Sequence, residues 1–260
     1  MFTPVSKGAA TDPLGVTEPR SKTERRGSTR LQFSVATTIH DVLRAWRLVY
    51  DAYRRIDLID VNAHRIHTNS YAASPSAAVV FGELGSQVET TLTAIHDSDA
   101  GLPLDSVYRK ELDALRKDGR QLSEIGLFAD RRESIGRSVG ALLDLIRLAF
   151  YYTLRSDDTT VIIGVHPHHI GFYKRLFGFE LLGDVRPYEA ANGKPVALLQ
   201  LPIRDRLKES PTPRGLLYFV ERPVDADEFR SRYRFPPDAL DTLPLAPFRS
   251  ARAQTLAAPA

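Results

Sequence analysis

The sequence predicts an α/β (α+β) fold in which a mixed central sheet is flanked by helices. Three observations predict it. Between residues 31 and 203 the hydrophobic spacing alternates between period two and a period near 3.6. Turn signals, Gly85-Ser86, Lys117-Asp-Gly119, Gly178 and Asn192-Gly193, punctuate those stretches. The β-branched run Thr159–Val165 has the composition of a strand buried on both faces.

Leu31–Ile39 alternates apolar and polar positions and reads as a half-buried strand. From Asp41, Val42, Trp46, Val49 and Tyr53 line one helical face opposite Arg44, Arg47, Asp51, Arg54 and Arg55, a helix of about four turns. Ala77–Leu84 and Val88–Ile95 form a hairpin through Gly85-Ser86. Leu104 to Leu115 keeps helical spacing up to Lys117-Asp-Gly119, and Gln121–Ala129 is a strand. A long helix from about Ser134 to Leu154 presents Val139, Leu142, Leu143, Ile146 and Phe150 on one face. After the Thr159–Val165 strand comes a short helix, His168–Phe177, stopped by Gly178. Phe179–Tyr188 and Pro195–Ile203 are strands joined around Asn192-Gly193. The expected order is β-α-β-β-α-β-α-β-α-β-β.

The chain of 260 residues holds one enzyme-sized domain, residues 31–203, between extensions at 1–30 and 204–260. Residues 1–30 lack the large apolar side chains a core needs and are expected to form a flexible tail. Within 204–260, only Leu216-Leu-Tyr-Phe-Val220 is apolar, an edge strand or a piece packed on the core. There is no cysteine, so disulfides, thiol nucleophiles and cysteine-based metal centres are excluded. No secretory leader or membrane-length apolar run is visible, and the expected location is the cytoplasm. Net charge is +3, but residues 31–203 carry 19 basic against 21 acidic side chains. A slightly acidic body lacks the electrostatic footprint of a nucleic-acid binder.

Gly171-Phe-Tyr-Lys-Arg-Leu-Phe-Gly-Phe-Glu180, just after a β-branched strand, resembles the carboxyl-terminal motif of the GNAT acyltransferase superfamily, and the element order matches that fold. The resemblance narrows over residues 38–203. Ala45-Trp-Arg-Leu-Val-Tyr-Asp-Ala-Tyr53, Tyr71 to Pro75, Gly101-Leu-Pro-Leu-Asp-Ser-Val-Tyr-Arg-Lys-Glu-Leu-Asp-Ala-Leu-Arg116 and Arg186-Pro-Tyr with Asn192-Gly193 look like the N-acyl amino acid synthases of the FeeM type. Those enzymes are related to the acyl-homoserine-lactone autoinducer synthases. The resemblance implies a GNAT-like fold and transfer of a long acyl chain from acyl carrier protein to an amino acid's α-amine, with no tightly bound cofactor. Acyl-coenzyme A is the alternative donor. Two other readings stay open: a coenzyme A-dependent acetyltransferase, and a non-catalytic domain that binds acyl carrier.

The resemblance also implies roles for residues. Tyr173 matches the tyrosine that protonates the departing thiolate; aromatic core packing with Phe172 and Leu176 is the structural alternative. Glu124 falls on the strand where the related families carry Glu-x-Ser-Arg and could take the amine proton; a solvated or ion-paired carboxylate is its alternative. Here Gly126 and Leu127 replace the Ser-Arg pair, and a backbone N–H near Gly126 is expected at the oxyanion. Asp130-Arg-Arg-Glu-Ser-Ile-Gly-Arg-Ser-Val-Gly140 does not fit the glycine-rich pyrophosphate loop of coenzyme A users. Arg131, Arg132 and Arg137 instead suit a phosphopantetheine phosphate on an acidic carrier, or form an ordinary basic face. Phe128, Phe150, Phe172 and Phe177 are expected along the acyl chain. His166, His168 and His169 straddle a strand end and a helix start, a poor metal geometry, and no metal is expected.

Overall fold

The computed structural model describes residues 31–131, 139–154 and 159–224. The elements are β1 (Gln32–Val35), α1 (Ile39–Arg55), β2 (Ala77–Leu84), β3 (Gln87–His96), α2 (Asp105–Lys117), β4 (Gln121–Asp130) and α3 (Val139–Thr153). They continue with β5 (Thr159–Val165), α4 (Ile170–Phe177), β6 (Glu180–Leu181), β7 (Arg186–Tyr188), β8 (Lys194–Pro202), α5 (Ile203–Lys208) and α6 (Arg214–Glu221). The strands lie in the order β1-β2-β3-β4-β5-β8-β6, with β7 also paired to β8. Every pairing is antiparallel except β4 with β5, as the crossover through α3 requires. The expected α/β fold with a mixed sheet between helices is the observed one.

Strand alternation divides the interior by face. On one face α1 packs Val42, Trp46 and Val49 with Val79, Ile95, Leu122, Ile162 and Leu198. On the other, α3 packs Leu145, Leu148, Ala149 and Tyr152 on Val35, Val80, Leu92 and Ala94. Beside it, α4 and α6 pack Phe177, Leu216 and Phe219 on Val161, Ile163, Leu199 and Leu201.

The structure corrects the sequence reading at three elements and decides between two readings at a fourth. Ile39 begins α1 rather than ending β1, because Thr38 caps the helix: the Asp41 amide donates to Thr38 Oγ1 at 3.2 Å while the Thr38 amide donates to Asp41 Oδ2. On α3 the expected stripe is displaced; Val139 is exposed, and the buried set is Leu145, Leu148, Ala149, Phe150 and Tyr152. That helix is apolar around most of its circumference, so spacing alone cannot choose its face. The Phe179–Tyr188 strand splits into β6 and β7, because Gly183 turns the chain with φ +81°. Of the two readings for Leu216–Val220, the piece packed on the core is the observed one: it is part of helix α6, with Leu216 and Phe219 buried.

Candidate active site

β4 and β5 pair in parallel from Gln121–Thr159 to Glu124–Ile162, and there the pairing ends. Beyond it, β4 stays with β3 and β5 stays with β8, so the sheet opens between them. On the open side β4 bulges. Thr91 pairs with Ala129 and Thr93 with Gly126, so β4 spends one residue more than β3 over this stretch. Leu127 occupies the bulge with φ +50°, a conformation costing a non-glycine residue about 1–3 kcal/mol.

Glu124 is the last β4 residue paired to β5, on the face toward α1. Only 5% of it is exposed, and its Oε2 accepts a hydrogen bond from the Leu104 amide at 3.0 Å. Burial pushes its carboxyl up to about 8; the Leu104 N–H pulls the other way, and the nearby Asp105 and Asp97 carboxylates add to the rise. A Cβ on Gly126 would lie 3.7 Å from Glu124 Oε1, so glycine leaves that side of the carboxylate uncovered.

Two phenols lie within electrostatic reach of the carboxyl. Tyr188 and Tyr71 both feel the Glu124 charge, and Tyr188 is hydrogen-bonded to the Ser106 side chain. Tyr53 is close enough to Tyr188 and to Tyr173 to act on both electrostatically, and its ring centroid is 5.2 Å from that of His67. Burial holds His67 down near 4, a neutral imidazole at pH 7.

Tyr173 sits on α4, half-buried, its ring centroid 5.2 to 6.2 Å from those of Phe172, Phe177 and Phe179. Burial pushes its phenol up to about 12, so it carries its proton throughout the neutral range. Tyr173 packs with the α4 cluster and Tyr53 with the α1 cluster, on opposite faces of the sheet. Tyr173 nonetheless acts electrostatically on Tyr53, raising its phenol.

The remaining sequence candidates are placed as follows. Phe128 lies exposed in the β4 bulge and Phe172 is half-buried on α4. Phe150 and Phe177 are core residues, both packed on Phe219 with ring centroids 4.9 and 5.7 Å away. Arg131 leaves the end of β4, its amide bonded to the Glu89 carbonyl and its Nε to the Val88 carbonyl. It lines a groove of about 640 Å3 together with Arg44, Arg47, Arg65 and His64. Arg132 and Arg137 lie outside the described residues. The His166, His168 and His169 rings cluster with centroids 4.0 to 6.5 Å apart. Among the described residues no group of His, Asp or Glu side chains is arranged to hold a metal ion.

Sequence reasoning on its own missed Tyr53, Tyr71, Tyr188 and the Leu104 amide. All four lie inside the blocks that carried the family resemblance, but nothing in their spacing shows that Tyr71, Tyr188 and the Leu104 amide converge on Glu124, with Tyr53 one step further out beside Tyr188.

A family model of the N-acyl amino acid synthase FeeM matches residues 44–202. The chain belongs to the FeeM family of N-acyl amino acid synthases. It is therefore an N-acyltransferase of the kind that makes N-acyl amino acids. No curated protein matches the sequence significantly. Among solved structures, FeeM from uncultured soil microbes, an N-acyl amino acid synthase, superposes with a TM-score of 0.61 at 24% identity, over 70% of this chain and 96% of that one. The coenzyme A-dependent acyl-homoserine lactone synthase BjaI, bound to SAM and isopentyl-CoA, gives a TM-score of 0.51 at 15% identity, over 78% and 99%. These two likenesses establish the shared GNAT-like fold. Among the described residues no helix is long and apolar enough to cross a membrane.

Proposed function

We propose that this FeeM-family protein transfers a long acyl chain from the phosphopantetheine thioester of an acyl carrier protein to the α-amine of an amino acid. The observation that carries the reading is the Glu124 carboxyl, buried and held by the Leu104 N–H at the point where the sheet opens, with burial pushing it up to about 8. Once ionised, a carboxylate of that proton affinity holds the substrate ammonium and relieves it of a proton, so the reaction speeds up as pH approaches about 8.

The thioester enters the gap between β4 and β5 and the amine meets it from the Glu124 side. Glu124 takes one proton from the substrate ammonium and passes it to solvent; the neutral amine nitrogen attacks the thioester carbonyl carbon, and its second proton passes to Glu124, which later releases that proton to solvent as well. The tetrahedral oxyanion takes a hydrogen bond from a backbone N–H at Gly126 or the adjoining bulge, where the ladder to β3 is interrupted. The C–S bond breaks, Tyr173 gives its proton to the leaving thiolate, and that proton is later restored from solvent. The products are the N-acyl amino acid and the free carrier thiol. Phe128 and Phe172 border the acyl path. Arg131 and the arginine groove attract the acidic carrier and its phosphate; Arg47 has no ion-pair partner among the described residues. The carrier places the reaction in the cytoplasm.

Reconstitution tests the reading: purified protein, mixed amino acids and either acyl carrier thioester or acyl-coenzyme A, with products identified by mass spectrometry. N-acyl amino acids formed from the carrier thioester and lost in Glu124→Gln are expected. Turnover only with acyl-coenzyme A would overturn the donor. Binding of carrier without product would overturn catalysis, leaving the binding-domain reading motivated by the missing Ser-Arg pair.

A further inference from the structure

Among the described residues the Leu104 amide is the one backbone donor on the Glu124 carboxylate, and it stands on a turn whose geometry is set elsewhere. Asp105 Oδ2 accepts from the Leu102 amide at 2.7 Å. Arg116, further along the same helix, grips both oxygens of Asp105, at 2.7 and 2.8 Å. Its guanidinium also donates to both oxygens of Asp97 and to Asp113, so three carboxylates fix it. Gly101 opens the turn with φ +76°, and a Cβ there would fall 2.5 Å from Asp105 Oδ2. Asp105 is buried, so its side of the fork is screened less by water and salt than a surface pair, while Arg116 keeps a partly exposed edge.

We infer that Arg116 and Asp105 are positioning residues that lock the Gly101–Leu104 turn so that the Leu104 N–H stays aimed at Glu124 Oε2. The inference rests on the reading of Glu124 as the base. The Gly101-Leu-Pro-Leu-Asp block then orients the carboxylate and restrains how far burial raises its proton affinity. The groups facing Glu124 are Asp105 and Asp97, whose charges Arg116 offsets, and the phenols of Tyr71 and Tyr188. Arg109 acts one step further out, on Tyr71.

Two substitutions separate geometry from charge. Arg116→Lys keeps the positive charge and loses the planar fork. Gly101→Ala keeps every charge and crowds Asp105 out of its place. The measurement is the titration of Glu124 in substrate-free protein labelled with carboxyl-13C glutamate, assigned by the signal missing in Glu124→Gln. In both variants the midpoint is expected to rise by about one unit, the size of a lost hydrogen bond to the charged form. The rise of kcat/KM with pH should move with it while KM for the thioester stays near wild type. A folded variant of either kind whose Glu124 midpoint is that of the wild type overturns the inference. Should neither fold, exchange of the Leu104 amide in the wild type decides: slow exchange supports the lock, and exchange as fast as in exposed loops removes it. A wild-type protein that acylates no amino acid would defeat the proposed function, yet the titration would still decide whether the lock exists.

Discussion

Glu124 owes its basicity to a conflict. Burial favours the protonated carboxyl, while the Leu104 N–H favours the charged one, and the balance lies near 8. Glu124→Gln removes the proton acceptor but preserves shape, and kcat/KM should fall about 10²- to 10⁴-fold. In the wild type kcat/KM should climb as pH passes through about 8; the substitution should abolish that limb. Stability carries the same signature with the opposite slope. A carboxyl whose folded value exceeds its unfolded one stabilises fully below about 4.5, and that contribution is lost as pH rises through about 8. His67, held near 4, contributes the reverse, stability lost as pH falls below its ordinary 6.5. Comparing Tm of wild type and Glu124→Gln at pH 5 and pH 8 cancels the histidine: the wild type should lose ground to the variant at pH 8. Tyr173→Phe keeps the ring packing against Phe177 and removes only the hydroxyl, so turnover should drop about 10²-fold with Tm nearly unchanged. Unchanged turnover would remove Tyr173 from the mechanism. Glu124 and Tyr173 stood out in the sequence as candidates because each sits in a stretch that resembles a family motif. The phenols around them did not, because Tyr53, Tyr71 and Tyr188 come from three distant segments that only the folded sheet brings together.

At the scale of elements, legibility followed length and contrast. The β2–β3 hairpin and the body of α1 were readable because each has a clear period, broken at Gly85 with φ +64° in the first and set against a charged outer face in the second. α6 was not. Eight residues, mostly apolar, follow a proline and show no decisive period, so the sequence left open an edge strand or a piece packed on the core and did not show the helix. Its place is set by tertiary contact: a Cβ on Gly215 would fall 2.4 Å from the Phe177 ring and 2.7 Å from the Leu176 carbonyl oxygen. α6 thus crosses α4 backbone against backbone, covering Phe177 with Phe219 directly behind Tyr173. Gly215→Ala should therefore cost about 1–3 kcal/mol of stability by overpacking, although alanine favours an isolated helix. Chemical denaturation measures this; a neutral or stabilising result would mean that the crossing relaxes freely. The β4 bulge was equally invisible, because Leu127 at φ +50° contradicts its own local preference and is held there by the neighbouring strands.

For the molecule as a whole, the opening of the sheet joins two unlike faces. The α1 face presents a buried carboxyl and phenols suited to an amino acid; the α4 face presents Tyr173 among apolar rings suited to an acyl thioester. A donor small enough to enter alone would need little beyond this gap, whereas a carrier protein must also be held outside it. The groove lined by Arg44, Arg47, Arg65 and Arg131 lies where the chain leaves β4, and it is basic although residues 31–203 as a whole are slightly acidic. Such local concentration of charge acts mainly on encounter with an acidic partner and is screened by salt. Hence kcat/KM for acyl carrier protein should fall steeply between about 0.05 and 0.5 M ionic strength, while kcat/KM for the same acyl chain on pantetheine alone should barely change. Arg47→Glu should reproduce the effect at low salt, lowering kcat/KM for the carrier about tenfold and leaving the pantetheine thioester unaffected. Arg47 decides most cleanly, since Arg44 is tied to Glu83 at 3.0 Å and Arg65 to Asp51 at 3.2 Å. Equal loss with both thioesters would move Arg47 into the reaction centre, and no loss with either would take the groove out of carrier recognition.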